Sequence, residues 1–175
     1  DIDLIEEIAR LYGYDKVPSR ISSFTPQKTY CLEKKTAYIE NEIRNILCSM
    51  GLNEIMTYSL TSRNAVEGLG MPLDNLVCLK NPMSSQQEVM RPSLLSEMLE
   101  ALNWNLNRKN TLLQFFELNK VYIMNKATGQ ADEIMRLSIG ICGNKPGNWK
   151  EKPRDLDFFD LKGIIEGLMD SLGVA

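Results

Sequence analysis

The chain has 175 residues, a net charge of −3, 43% apolar and 25% charged side chains. That is enough for one sizeable core, and the acidic balance excludes a dominant sequence-blind nucleic-acid surface, which needs a basic excess. There is no histidine and no CxxC pair among Cys31, Cys48, Cys78 and Cys142, which excludes zinc clusters and histidine general bases.

Leu4, Ile5, Ile8 and Leu11 recur at helical spacing, so a helix is predicted from Asp3 to about Tyr12, stopped by Gly13. Pro18 and Pro26 bracket the polar stretch SRISSFTPQKTY, where a domain boundary is expected. Leu32, Thr36, Ile39, Ile43, Ile46 and Met50 then predict a long amphipathic helix closed by Gly51. NEIMTYSL favours a strand, and a weaker helix is expected from Ser62 to Leu69. After the short strand LVCLK, Ser93 is a candidate N-cap for a helix whose buried stripe is Leu94, Leu95, Met98, Leu99, Leu102 and Leu106.

LLQFFELNKVYIM reads as two strand-like runs, and MRLSIGICG as a third beyond the turn NKATGQ. FFDLKGIIEGLMDSLG closes the order as a helix. Helices around several mostly non-hairpin strands predict an α+β domain with helices packed on a sheet. The lone cysteines read as buried thiols of a reducing compartment. No apolar run approaches the ~20 residues that span a bilayer, so a cytoplasmic location without membrane attachment is expected.

Four blocks carry a resemblance. DLIEEIARLYGYDKVP resembles the end of the helical B5 domain of bacterial phenylalanyl-tRNA synthetase β subunits. NPMSSQQEVMRPSLLSEMLEALNWNLNRKN resembles that family's NPxSxExxxMRxSLLPGLLxxLxxNxxR. FFELNKVY and FFDLKGIIEGL are similar to its FEIGRVF and FDLKGxVExLL. The resemblance implies a class II synthetase-like antiparallel sheet flanked by helices, with residues 1–20 a B5 remnant, 21–30 a linker and 31–175 the core. It also implies a fragment, with the tRNA-binding OB-like domain, the editing domain and most of B5 upstream.

Asp3, Glu6 and Glu7 lie at i, i+3 and i+4 and share a helix face. Acids there favour the helix macrodipole by roughly 0.3–1 kcal/mol each. The resemblance implies instead magnesium ligands, completed by an aspartate before residue 1; Mg2+ takes a few carboxylates and keeps several waters. Catalytic class II cores grip the ATP α-phosphate with a second-motif arginine. Here Glu117 of that motif is present, but its arginine position holds Phe115 or Phe116, and the third, glycine-rich motif is absent. Arg91 therefore reads as a structural or interface arginine.

Arg91, Arg108, Lys109, Trp149 and Lys150 are the candidate partner or tRNA contacts. The cluster around Trp104 offers a stacking surface for RNA, or a tryptophan packed under the strands. Lys34, Lys35 and Arg44 read as a solvated face of the long helix. The resemblance implies a non-catalytic core packing on the catalytic α subunit in an (αβ)2 heterotetramer that joins phenylalanine to tRNA(Phe) with ATP. The alternatives are a tRNA-binding module, or a core that retains its own ATP or amino-acid binding.

Overall fold

A computed structural model of the chain describes residues 1–20, 31–147, 149–150 and 152–174, with side chains in the second helix from residue 35 onward. Two compact units are formed, Asp1–Lys34 and Lys35–Ala175. The linker expected at 21–30 lies outside the described residues.

In the first unit, helix α1 (Ile2–Tyr12) stops at Gly13, whose φ of 101° lies in the region glycine favours, and a 3-10 turn follows at Tyr14–Lys16. The stripe seen in the sequence is present but uncovered: Leu4, Ile5, Ile8 and Leu11 are all exposed, and α1 has no buried residue.

The second unit holds the core. Helix α2 (Cys31–Ser49) ends where Gly51 turns at φ 89° and the Leu52 amide bonds the Leu47 carbonyl. Next come the two-residue strands β1 (Asn53–Glu54) and β2 (Leu60–Thr61), helix α3 (Arg63–Gly68) and strand β3 (Val89–Met90). Helix α4 (Leu95–Leu106), strands β4 (Leu112–Asn125), β5 (Gln130–Lys145) and β6 (Arg154–Asp155), and helix α5 (Phe158–Leu172) complete it. The main sheet runs β1-β4-β5-β6, with β1 parallel to β4 and the other pairs antiparallel; β2 and β3 form a separate antiparallel pair.

Three expectations are corrected. The dominant pairing is a hairpin, because β4 is one continuous strand that meets β5 from Leu112–Gly143 to Asn125–Gln130. Asn125 sets its turn, its Oδ1 accepting from the amides of Ala127 and Thr128. NEIMTYSL is not one strand: after β1 the chain leaves the ladder, and the Thr57 amide donates to the Glu117 side chain instead of to a neighbouring strand. Cys48 and Cys78 are exposed rather than buried.

Helices α2 and α5 cover one face of the sheet, where Leu47, Leu52, Phe116 and Leu168 are buried with Ile43, Ile46 and Met50 against them. Removing a buried phenyl ring such as that of Phe116 costs about 3–5 kcal/mol. Helix α4 covers the other face, with Met98 and Leu102 against Leu113, Phe115 and Cys142. Gly140 allows that approach: a Cβ there would sit 2.9 Å from Leu102 Cδ1. The α4 stripe is only half covered, since Leu95, Leu99 and Leu106 stay exposed.

Both flanking helices are capped locally. Ser93 acts one residue earlier than a standard N-cap, its Oγ accepting from the Leu95 amide at 3.2 Å. Asp157 and Asp160 form a reciprocal box at the start of α5, and Arg154 grips Asp160 with two 2.6 Å bonds. That guanidinium, then the Asp157 amide, hold the Asp160 carboxyl well below the usual carboxylate range.

Candidate functional site

The densest polar arrangement is the knot around Arg91 and Glu117. Arg91 has no exposed area and Glu117 1%. Arg91 Nη1 lies 3.0 Å from Glu117 Oε1 and donates to Thr57 Oγ1 at 2.8 Å, while Nε donates to the Lys120 carbonyl at 3.1 Å. Glu117 also accepts from the Thr57 amide at 3.1 Å, the Thr57 hydroxyl at 2.7 Å and Asn119 Nδ2 at 3.1 Å. Backbone bonds complete the tie: the Arg91 amide to the Ser59 carbonyl, and the Tyr122 amide to the Arg91 carbonyl. One ion pair thus fastens the 55–59 segment, β3 and β4 together. Burying two charges is costly unless each is paired and hydrogen-bonded, as both are here. Arg91 Nη2 is buried with no bonding partner among the described residues.

This geometry corrects the surface role expected for Arg91. A side chain with no exposed area touches neither tRNA nor a partner, and its guanidinium is engaged inside the fold. The structural reading of Arg91 fits. Phe115 and Phe116, one of which stands where a phosphate-gripping arginine would be, pack on opposite faces of the sheet.

Thr57 belongs to the knot and also lines the largest cleft, about 730 Å³, between the 56–62 segment and α4. Met56 and Tyr58 stand on its rim, 84% and 78% exposed, opposite Trp104 on α4. Glu97 and Glu100 are its charged lining, and no lysine or arginine lines it. Glu97 is only 9% exposed, and its Oε2 accepts from the Ser96 hydroxyl at 2.7 Å. These acids were not singled out from sequence; the signal is Glu97, one turn after Leu94 and next to Met98, beside the stripe that packs on the sheet.

Trp104 is 53% exposed rather than packed under the strands, and the Arg108 guanidinium lies 3.2 Å from its ring centroid. Arg108 also donates to the Trp104 carbonyl, and Lys109 follows with a left-handed φ of 65°. Trp149 is 87% exposed, with Lys150 Nζ 4.5 Å from its ring. These contacts are local to each segment. Arg44 is not a solvated cation either: it pairs with Glu54 at 2.8 Å and Glu40 at 3.8 Å.

The acids of α1 do not form a metal centre. Among the described residues no three acidic or cysteine side chains converge, and Glu7 is held by Arg10 at 2.6 Å. Asp3, Glu6 and Glu7 share a face, but their positions do not fit a closed carboxylate site for Mg2+.

A sheet with its long antiparallel hairpin, covered by helices on both faces, is the fold of class II tRNA synthetases. A pyrrolysyl-tRNA synthetase from Desulfitobacterium hafniense superposes with a TM-score of 0.59 at 17% identity, over 80% of this chain and 46% of that one. An ATP phosphoribosyltransferase regulatory subunit/histidyl-tRNA synthetase from Bacillus halodurans does so with a TM-score of 0.63 at 14% identity, over 91% and 40%. Within that class the chain belongs to the family described as the phenylalanyl tRNA synthetase beta chain CLM domain, which matches residues 21–175. It is similar to the phenylalanine–tRNA ligase β subunits of Protochlamydia amoebophila, at 37% identity over 99% of the chain, and Thermotoga maritima, at 35% over 99%. The chain spans 22% of the length of each of these curated relatives.

Proposed function

We propose that this chain serves a phenylalanine–tRNA ligase as a non-catalytic scaffold within the β subunit, packing on a catalytic α subunit in an (αβ)2 heterotetramer. On this reading the α subunit activates phenylalanine with ATP and Mg2+ and transfers it to tRNA(Phe) in the cytoplasm. Residues 1–20 belong to the preceding B5 domain, 21–30 link, and 31–175 build the scaffold.

The observation that carries the reading is where the charges are spent. Phosphoryl and adenylyl chemistry needs cations aimed at developing negative charge. Here the largest cleft is lined by acids and no cation, and Arg91 is consumed by an internal ion pair. The partner-facing role of α2 is supported by its exposed Tyr38 and Ile39, which continue the helix away from the seam that Leu47 buries. A wide apolar stripe of this kind serves one edge to its own core and one to a partner.

Co-expression of the intact β subunit with its α subunit tests the scaffold. Tyr38→Asp combined with Ile39→Asp is expected to abolish co-purification and aminoacylation together while the isolated β subunit keeps its fold by circular dichroism. Stoichiometric binding of ATP·Mg2+ to the purified chain by titration calorimetry would overturn the non-catalytic assignment. A tRNA-contact reading has one feature in its favour, the exposed Trp149 beside Lys150. It expects tRNA affinity to fall steeply with salt and on Trp149→Ala.

A further inference from the structure

The cleft beside α4 holds an acid that its own chain does not neutralise. Glu97 is nine-tenths buried, yet among the described residues its carboxylate accepts only the Ser96 hydroxyl, and no cation lies within ion-pair distance. A buried carboxylate without a charged partner is costly. Glu117, equally acidic and 26 residues from its arginine in sequence, shows how this fold satisfies such a group when the cation is its own. Glu100 adds a second acid one turn along the same wall.

The walls are aromatic and exposed. Tyr58 and Trp104 face solvent, and the Trp104 ring already stacks the Arg108 guanidinium, which lines no part of the cleft. Tyrosine, tryptophan and methionine around a desolvated acid are the residue types that anchor protein partners. Tyr58 and Met56 are moreover presented from a fixed backbone, since the segment carrying them is bonded to the Arg91–Glu117 pair through Thr57 and Tyr58.

From this juxtaposition we infer that the α4 cleft is a socket for an arginine or lysine side chain projecting from a partner polypeptide other than this chain. Glu97 and Glu100 are the counter-ions, and Tyr58 and Trp104 are the walls that cover the cation's aliphatic stem. The socket lies apart from α2 in sequence and does not depend on the partner being the α subunit.

The test uses the intact, assembled enzyme, with Tyr58 replaced by photoreactive p-benzoylphenylalanine and, in a parallel sample, Tyr38 replaced in the same way. The expected result is a light-dependent adduct from position 58 on another polypeptide, mapping by mass spectrometry within a few residues of an arginine or lysine. Glu97→Gln with Glu100→Gln should reduce the yield roughly tenfold, as loss of a desolvated charge pair does, and raised salt should weaken it. The adduct from position 38 should not change with those variants.

An adduct lacking a nearby cation, an adduct on a second copy of this chain, or a yield indifferent to both glutamines would overturn the socket. So would saturable binding of free argininamide without any polypeptide adduct from position 58. A position 38 probe that fails while position 58 succeeds removes the α2 packing and leaves the socket standing.

Discussion

Two neighbouring regions share Thr57 and treat buried acid in opposite ways. In the knot, Glu117 meets Arg91, Asn119 and Thr57, so its carboxylate is satisfied from within the chain. In the cleft, Glu97 is nearly as buried but accepts one neighbouring hydroxyl and meets no cation among the described residues. The first arrangement fixes the fold, because removing either partner leaves a charge stranded. The second leaves a demand that binding satisfies. Burial alone therefore does not distinguish a structural acid from a recognition acid; the source of its counter-charge does.

The knot gives the largest effect. Arg91→Ala leaves Glu117 buried without its cation and should cost the 175-residue chain about 3–5 kcal/mol in urea unfolding, the range for breaking a buried pair. Arg91→Met combined with Glu117→Leu should be less damaging than either single change, because no charge remains to be desolvated. If the double variant lost as much as the sum of the singles, the ion pair would not be the joint, and the backbone ties through Ser59 and Tyr122 would hold the segment instead.

The sequence carried the helices because their signals are local. Period and Gly51 located α2, and Ser62 located α3, its Oγ accepting from the Ala65 amide. The break after β1 was not legible, because its cause is the carboxylate of Glu117, 60 residues away in sequence from the Thr57 it captures. The unity of β4 was hidden at Asn119 and Lys120, which read as an interruption; in the hairpin Lys120 is supported across the strands by Glu133 at 2.6 Å. Metal spacing on α1 was visible as a face, but spacing does not supply convergence, and Glu7 turns to Arg10. The cleft was overlooked because it is assembled from segments separated by α3 and β3.

A third charged group, outside both regions, shows what an exposed pair contributes. Asp160 is held well below the ordinary range by Arg154, then by the Asp157 amide. With a folded pKa below the unfolded value of about 3.9, its stabilisation is fully present above that value and lost as pH falls through the folded one. Asp160→Asn should therefore be less stable than wild type near neutrality. The pH-dependent part of that gap should close on acidification, a trend that urea midpoints measured across the acid range would show. A gap that widened in acid would reverse the sign of this linkage. Partial exposure and solvent screening keep the effect well under that of Arg91→Ala.

The smallest change is expected where burial would suggest a large one. Glu97→Gln keeps the shape and the bond from Ser96 while removing a charge the chain itself does not pair. Its unfolding midpoint should move by no more than a surface substitution does, within about 0.5 kcal/mol, and toward greater stability, because an uncompensated desolvation cost is relieved. Glu117→Gln at similar burial should go the other way, leaving Arg91 without its counter-ion. Paired chemical-denaturation curves for the two isosteric variants measure the contrast directly. Equal destabilisation by both would mean that Glu97 is a structural acid after all and that the cleft makes no demand on a partner; opposite signs would locate the fold's own electrostatics at Glu117 and leave Glu97 to recognition.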